Sequence, residues 1–381
     1  MSARVLIAGG GVAGLETALA LREMAGDRVQ IEICAPRRDF VYRPFAVGEP
    51  YGASHVMRYD LREIAASRGF AYTWSALQSV DGARRRATNT DHELRSYDYL
   101  VIAPGAKHLW SIPGATMFWG LADEFDSQGV VRALGTRELR HLVFAMPASH
   151  TWSLPLYELA LLAAARQEGE AFMTKRTRLT IVTPEEAPLI VFGRGASEAV
   201  AGLLDSHDIE VVAGTHPVSF DRRRRVLAVA PGEGIEADGV IGLPRLEGHR
   251  FDGVPHDEHG FIPTDEHGGV PGLEGVYAAG DITTFPVKQG GIAAQQGDVV
   301  AAAIAAELGC EVDADPFEPT LRAVLWTGEG PRYLFGHPAG GHGEDSTLSE
   351  RPPWPEQQGK IMSRYLTPFL EGLNRVPEAR T

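Results

Sequence analysis

The chain has 381 residues, 44% hydrophobic and 23% charged, with a formal net charge of −14. That length accommodates two or three domains with cores of their own, and the acidic balance excludes nucleic acid as a main partner. Cys34 and Cys310 lie far apart, which excludes a CxxC redox pair, a cysteine metal site and a disulfide framework.

Val5-Leu6-Ile7-Ala8 is a short apolar run that enters Gly9-Gly10-Gly11-Val12-Ala13-Gly14, and Leu15, Ala18, Leu19 and Ala20 follow at helical spacing. Strand, glycine turn and helix in that order make a dinucleotide cradle. Gly9 permits the tight turn, Gly11 lets backbone approach a pyrophosphate, and Gly14 lets the helix pack on the strand, while the helix start at Val12 and Ala13 offers free amides to phosphate. A second strand, Val29 to Cys34, stands at the right distance. The acidic residue that would bind a ribose hydroxyl at its end is missing, because Cys34, Ala35 and Pro36 fill that corner.

The next stretch, Arg37 to Phe45, is dense in cations and aromatics. It reads either as a solvated turn or as a flap on a flat anionic cofactor, with arginines such as Arg43 near phosphate. Residues 55 to 68 read as a helix and Tyr72 to Gln78 as a strand, with Leu77 placed among the cofactor-lining positions. A hairpin from Gln78 to Arg95 follows, its tip Arg84-Arg85-Arg86 solvated. Tyr97 to Ala106 is a hydrophobic strand entering a small turn, Ala103-Pro104-Gly105, where backbone passes close to a ligand. The first unit ends near Pro113-Gly114.

A second unit repeats the order: strand His141 to Met146, helix Leu154 to Gln167, strand Arg178 to Thr183, an arginine-tipped hairpin at Asp221 to Arg225, then Glu236 to Pro244. This is a duplication at the level of fold. The glycines are not repeated, because Pro147 to Glu158 carries prolines and bulky side chains where a pyrophosphate would approach. Gly193-Arg194-Gly195 lacks a third glycine and follows the unit's second strand.

Gly275 to Asp281 is another strand ending in a small turn, followed by Lys288-Gln289-Gly290-Gly291 and an alanine-rich helix, Ile292 to Leu308. Asp281, after Gly280, either accepts bonds from a ribityl hydroxyl or caps an ordinary strand–turn–helix. Lys288 and the helix N-terminus at Gln289 and Gly290 could stabilise negative charge on a reduced ring. From about Asp313 the chain is a separate segment. Its Ile361, Met362, Tyr365, Leu366, Phe369, Leu370 and Leu373 form an apolar helical stripe that Pro368 interrupts or kinks. That stripe serves the core or a homodimer contact, with a membrane surface as the other reading. The cradle begins within a few residues of Met1 and no apolar run could span a bilayer, so the expected compartment is the cytoplasm, with peripheral membrane contact as the alternative.

Three separated pieces stand in a fixed order: Gly9-x-Gly11-x-x-Gly14, Tyr97 to Ala106, and Gly275 to Asp281. That order resembles the FAD-dependent pyridine nucleotide-disulfide oxidoreductase superfamily. Val287 to Gly291 with Gln295-Gln296 looks most like its sulfide:quinone oxidoreductase and type II NADH dehydrogenase branch. The resemblance implies an α/β fold with two Rossmann-like dinucleotide-binding domains and a C-terminal cap. The FAD domain would comprise 1–112 and 250–312, the second domain 113–249 and the cap 313–381. It also implies that Gly9, Gly11 and Gly14 hold the FAD pyrophosphate, that Ala103 to Ala106 lie near the flavin, and that Asp281 binds the ribityl chain; with no cysteine beside the flavin, the FAD is expected to be non-covalent. Lys288 would lie near the flavin's pyrimidine end or an acceptor quinone. Glu158 matches a glutamate near the flavin in NAD-using relatives, and could relay protons or simply face solvent at a helix start.

Two departures limit the transfer of activity. The cysteines through which sulfide:quinone oxidoreductases act are absent, with Trp152 or its neighbours at one such position, and the glycine cradle that NADH users keep in the second domain is lost. The leading expectation is therefore an oxidoreductase passing electrons from a small donor through FAD to a quinone or other acceptor. The alternatives are an NAD(P)H dehydrogenase with an unconventional nucleotide site, using Glu185 and Glu186, and a flavin-bearing scaffold or redox sensor without turnover.

Overall fold

The structure, a computed structural model, describes residues 2–120, 129, 131, 134, 139–147, 151–169, 176–338, 346–355 and 359–374. In chain order its first unit holds β1 (Ala3–Ala8), α1 (Val12–Ala25), β2 (Val29–Cys34), α2 (Leu61–Ser67), β3 (Ala71–Thr73) and β4 (Tyr99–Ile102). The second holds β5 (Thr116–Met117), β6 (His141–Ala145), α3 (Leu154–Gly169), β7 (Arg178–Val182), α4 (Arg194–Ser206), β8 (Ile209–Val212) and β9 (Gly239–Gly242). Then come β10 (Val276–Ala278), α5 (Gly290–Glu307), an antiparallel sheet of β11 (Leu321–Trp326), β12 (Pro331–Gly336) and β13 (Thr347–Ser349), and α6 (Leu366–Asn374).

The first parallel sheet has the order β10-β4-β1-β2-β3 and the second β5-β9-β6-β7-β8. Four neighbouring strands thus have the same relative order in both, which bears out a duplicated doubly wound unit. Only the outer strand differs: β10 returns from far along the chain, whereas β5 directly precedes its own unit. An antiparallel hairpin follows β3 in the first unit and β8 in the second, Leu77–Asp81 with Arg86–Asn89 and His216–Asp221 with Val226–Ala230. Arg84 pairs with Asp81 and Arg85 with Glu274, so the first tip is exposed but not free of partners.

Small residues let α1 and α5 lie against each other. A side chain at Gly297 would come within 2.8 Å of the Ala13 carbonyl, and Thr17 Oγ1 donates to both the Ala13 and Gly297 carbonyls. Alanine content, which gives α5 its helix propensity, also strips it of bulk, so it is buried over most of its length.

Three expectations are corrected. Residues 55 to 68 are not one helix: Met57–Asp60 pairs with Asp39–Tyr42, and the Asp60 carboxylate then caps α2 by accepting the Arg62 and Glu63 amides. Tyr72 to Gln78 is not one strand, because β3 stops at Thr73 and Leu77 begins a strand of another sheet. The C-terminal helix starts at Leu366, so Pro368 falls in its first turn, where an amide has no intrahelical acceptor to lose, and it causes no kink. Leu366 and Leu370 are buried against α1 and α5, which gives the stripe to the core. Among the described residues no helix is long and apolar enough to cross a membrane.

The start of α6 is held by a side chain from α1. Buried Glu16 accepts the amides of Arg364 (2.8 Å), Tyr365 (2.8 Å) and Leu366 (2.6 Å). Asp298 of α5 hydrogen-bonds to Glu16, and burial with the Glu16 charge pushes its carboxyl up to about 8 against the pull of Arg364. Asp298 therefore stays protonated in the fold at pH values where the unfolded chain ionises it. Its contribution is complete below about pH 4 and lost as pH rises through about 8. Asp298→Asn, which keeps a donor toward Glu16, should leave the melting temperature near pH 4 unchanged and raise it above about pH 8; melting curves across that range check the flattened profile.

Candidate functional site

The glycine turn after β1 is shaped by contacts that only glycine tolerates. A side chain at Gly9, whose φ is 139°, would sit 2.0 Å from the Ala103 carbonyl, and one at Gly14 would sit 2.1 Å from the Gly9 carbonyl. At Gly11 the same construction meets nothing within 4 Å. Two glycines thus serve the fold and the third leaves room for an incoming group. Gly11 is also the N-cap of α1 and supplies no side-chain cap, so the helix start at Val12 and Ala13 keeps amides for an anion. These residues fit a dinucleotide pyrophosphate.

The turns expected to flank it converge on the cradle. Ala103, Pro104 and Gly105 follow β4, with Ala103 against Gly9. Gly280 follows β10, where a side chain would come within 3.0 Å of Ala13 Cβ, and its amide is held by Gln296 Oε1 at 2.7 Å. Asp281 is raised by burial and pulled back by Lys288 and Arg43. Arg43 opens a 3₁₀ helix, Arg43–Tyr51, with its guanidinium 3.3 Å from both ring nitrogens of His108. Burial together with Arg43 and Arg37 lowers His108 to about 4, so its ring is neutral at pH 7 and the cationic surroundings favour an anionic ligand.

Other expected residues are occupied by the fold itself. Leu77 packs in the core with Ala8 and Cys34. Ala35 is buried, its amide donating to the Thr73 carbonyl at 3.1 Å, and the Pro36 carbonyl accepts Trp74 Nε1 at 2.8 Å. Gln289 caps α5 through the Ile292 amide (2.8 Å) and donates to the Arg322 carbonyl (3.1 Å), tying the helix start to the C-terminal sheet, while a side chain at Gly290 would press on Ile361. Lys288 is buried, its ammonium bonded to the Thr283 carbonyl and 4.0 Å from the Phe261 ring centroid, and burial lowers it to about 8 against Asp281 and Asp257.

Glu158 does not face solvent. It is buried in α3 and forms an ion pair with buried Lys360, and its Oε1 also accepts the Trp326 amide at 2.9 Å. Burial raises the Glu158 carboxyl and lowers the Lys360 ammonium, each opposed by the other's charge, so a proton can reside on either. The Lys360 ammonium lies 4.5 Å from the Trp326 ring centroid, and that ring stacks on Phe45 (5.4 Å, 15°). Phe45 adjoins Tyr42, whose hydroxyl accepts the Ile361 amide at 2.8 Å. Sequence reasoning did not assign Lys360 or Trp326 a role. The one signal was a lysine between glycine and the apolar Ile361-Met362.

Cys34 is inert by position: it is buried, its thiol donates to the Ser75 carbonyl at 3.2 Å, and burial with the Glu32 charge pushes it up to about 11. In the second unit, Ala148 to His150 of the expected bulky segment lie outside the described residues. Trp152 packs on Phe192 (5.8 Å). Glu185, at the end of β7 where a ribose partner is expected, instead accepts Tyr157 (2.5 Å), Ser153 (2.9 Å) and Thr183 (3.2 Å) hydroxyls, and Glu186 is exposed. Glu185 is thus engaged by hydroxyls of its own fold. Gly193 acts as the N-cap of α4.

Residues 157–309 match the family model described as pyridine nucleotide-disulphide oxidoreductase. Among solved structures, the sulfide:quinone oxidoreductase from the hyperthermophilic bacterium Aquifex aeolicus is similar over 91% of this chain and 87% of that one, at 19% identity and a TM-score of 0.81. An NAD-dependent persulfide reductase from A. fulgidus is similar over 87% of this chain and 64% of that one (19%, 0.63). A ferredoxin reductase from Rhodopseudomonas palustris is similar over 89% and 83% (18%, 0.64). The chain thus shares the fold of these structures over nearly its whole length, and the family model matches the stretch from α3 through β10 and α5.

Proposed function

We propose that the protein passes electrons from a small donor through non-covalently held FAD to a quinone or other redox acceptor. The observation that carries this reading is the buried Glu158–Lys360 pair beneath Trp326, a proton-holding group enclosed by aromatic side chains. Gly9, Gly11 and Gly14 with the first amides of α1 would hold the pyrophosphate, helped by Arg43. Ala103 to Gly105 and Gly280 would line the path toward the ring, and Asp281 would accept bonds from the ribityl hydroxyls. Bound FAD supplies the electron transfer itself.

The chain's own residues supply the protons and exclude the wrong donors. Reducing a quinone consumes protons as well as electrons; the Glu158–Lys360 pair would hold one such proton between carboxylate and amine, to be replaced from solvent after each turnover. Lys288, lowered to about 8, holds a second titratable proton near neutral pH. For a nicotinamide donor the sequence of the second unit does not repeat the glycine run, and Glu185 accepts three hydroxyls within the fold.

Three outcomes are expected. Gly11→Ala should leave the melting temperature of the flavin-free protein unchanged yet lose most of its bound flavin, whereas Gly14→Ala, forced against the Gly9 carbonyl, should lose about 1–3 kcal/mol of stability; absorbance ratios and denaturant titrations separate the two. Glu158→Gln should lower quinone reduction by roughly 10²-fold or more and alter its pH profile. Glu158→Ala, leaving Lys360 buried and unpaired, should cost about 3–5 kcal/mol, most of which the Glu158→Gln/Lys360→Met double variant should recover without recovering turnover. Finally, anaerobic NADH or NADPH should fail to bleach the flavin, while dithionite reduces it and a water-soluble quinone reoxidises it; rapid bleaching by nucleotide would overturn the donor assignment.

A further inference from the structure

The outer half of the first sheet carries a feature that the cradle leaves unexplained. Strands β2 and β3 run parallel with Cys34 opposite Thr73, so the residues after them, Ala35 to Arg38 and Trp74, leave the same end of the sheet side by side. Three hydrogen bonds fix them together: the Ala35 amide to the Thr73 carbonyl (3.1 Å), Trp74 Nε1 to the Pro36 carbonyl (2.8 Å) and the Tyr72 hydroxyl to the Arg37 carbonyl (2.8 Å). The Arg38 guanidinium lies 4.3 Å from the Trp74 ring centroid. Even so, Trp74 keeps 55% of its surface exposed, making it one of the most exposed large apolar side chains in the described structure. An indole is thus held in place and backed by a cation, yet left open to solvent.

The strand order says what lies beside it. A dinucleotide with its pyrophosphate at the end of β1 extends one half over β4 and β10, where the turns at Ala103 and Gly280 stand, and the other half over β2 and β3. The usual carboxylate for ribose is absent from that second half, and Ala35 is buried in its place. We propose that Trp74, supported by Arg38, is the adenine-binding platform of the FAD site, stacking on the base in compensation for the missing ribose contact. The inference rests on the FAD reading above. Base–aromatic stacking commonly changes affinity by roughly ten- to a hundredfold, and an arginine over the ring adds a cation–π attraction.

The test uses the full chain, stripped of flavin and titrated with FAD by flavin fluorescence, with 5′-ADP as competitor. Trp74→Ala should weaken FAD and ADP by the same factor, roughly tenfold or more, with the melting temperature of the flavin-free protein unchanged. Trp74→Phe, which keeps a stacking face but loses the bond to Pro36, should retain most of the affinity, and Arg38→Met should fall between. Equal affinity in wild type and Trp74→Ala, or an equal loss in Trp74→Phe and Trp74→Ala, would overturn the platform while leaving the flavin reading intact. A wild-type chain that takes up no FAD would overturn both.

Discussion

A buried ammonium needs a buried partner, and this structure provides one at the point where all its parts meet. Lys360 comes from the C-terminal segment, Glu158 from the first turns of α3, the Trp326 amide from β11, and Phe45, stacked on Trp326, from the first unit. Removing either charge would strand the other away from water, at a cost several times that of a surface pair. The relative position of these four pieces is therefore constrained more tightly than apolar contact alone would require. The interaction that fixes the cap is therefore the same one that the proposed function uses as its proton-holding pair.

The two parallel sheets show what duplication preserves and what it releases. Strand order survives in both units because it follows from right-handed crossovers and burial on both faces of the sheet. The glycine run, by contrast, stands only in the first unit. In the first unit a side chain at Gly9 or Gly14 would collide with backbone; in the second, the helix α3 that follows β6 offers Ser153 and Tyr157 hydroxyls to Glu185. An acidic residue at the end of a second strand remains, but it has become part of the packing. Its neighbours satisfy it internally, and a ribose would have to displace three hydrogen bonds to reach it.

Sequence carried the local features and missed the distant ones, for a physical reason. The glycine turn, the strand entering Ala103-Pro104-Gly105 and the helix after Gln289 are written in consecutive residues with a definite period, and each stands close to where its pattern put it. The errors at residues 55 to 68 and 72 to 78 arose where a cap or strand end interrupts an otherwise plausible pattern: Asp60 turns a strand into a helix, and Thr73 ends one sheet before Leu77 begins another. The Glu158–Lys360 pair spans some two hundred positions, and no periodicity links a helix start to a lysine in an irregular segment. Trp74 and Arg38 likewise come from separate loops, joined only because β2 and β3 are neighbours.

The stretch from Lys360 to Leu366 is anchored at both ends by carboxylates from different units. Glu158 receives Lys360, and Glu16 receives the first amides of α6; between them Ile361 bonds to Tyr42 and presses on Gly290 at the start of α5. Movement of this segment would uncover two desolvated acids together, so it is held as a unit with the cradle helix and the aromatic enclosure. A change of protonation at Glu158 is then felt directly by Lys360 and by Trp326, whose amide it also binds, and so at the surface that an acceptor would approach. In this arrangement the charge on the pair and the packing around Trp326 are set by the same few atoms, so the proposed acceptor chemistry would turn on the electrostatics of the pair more than on the fold.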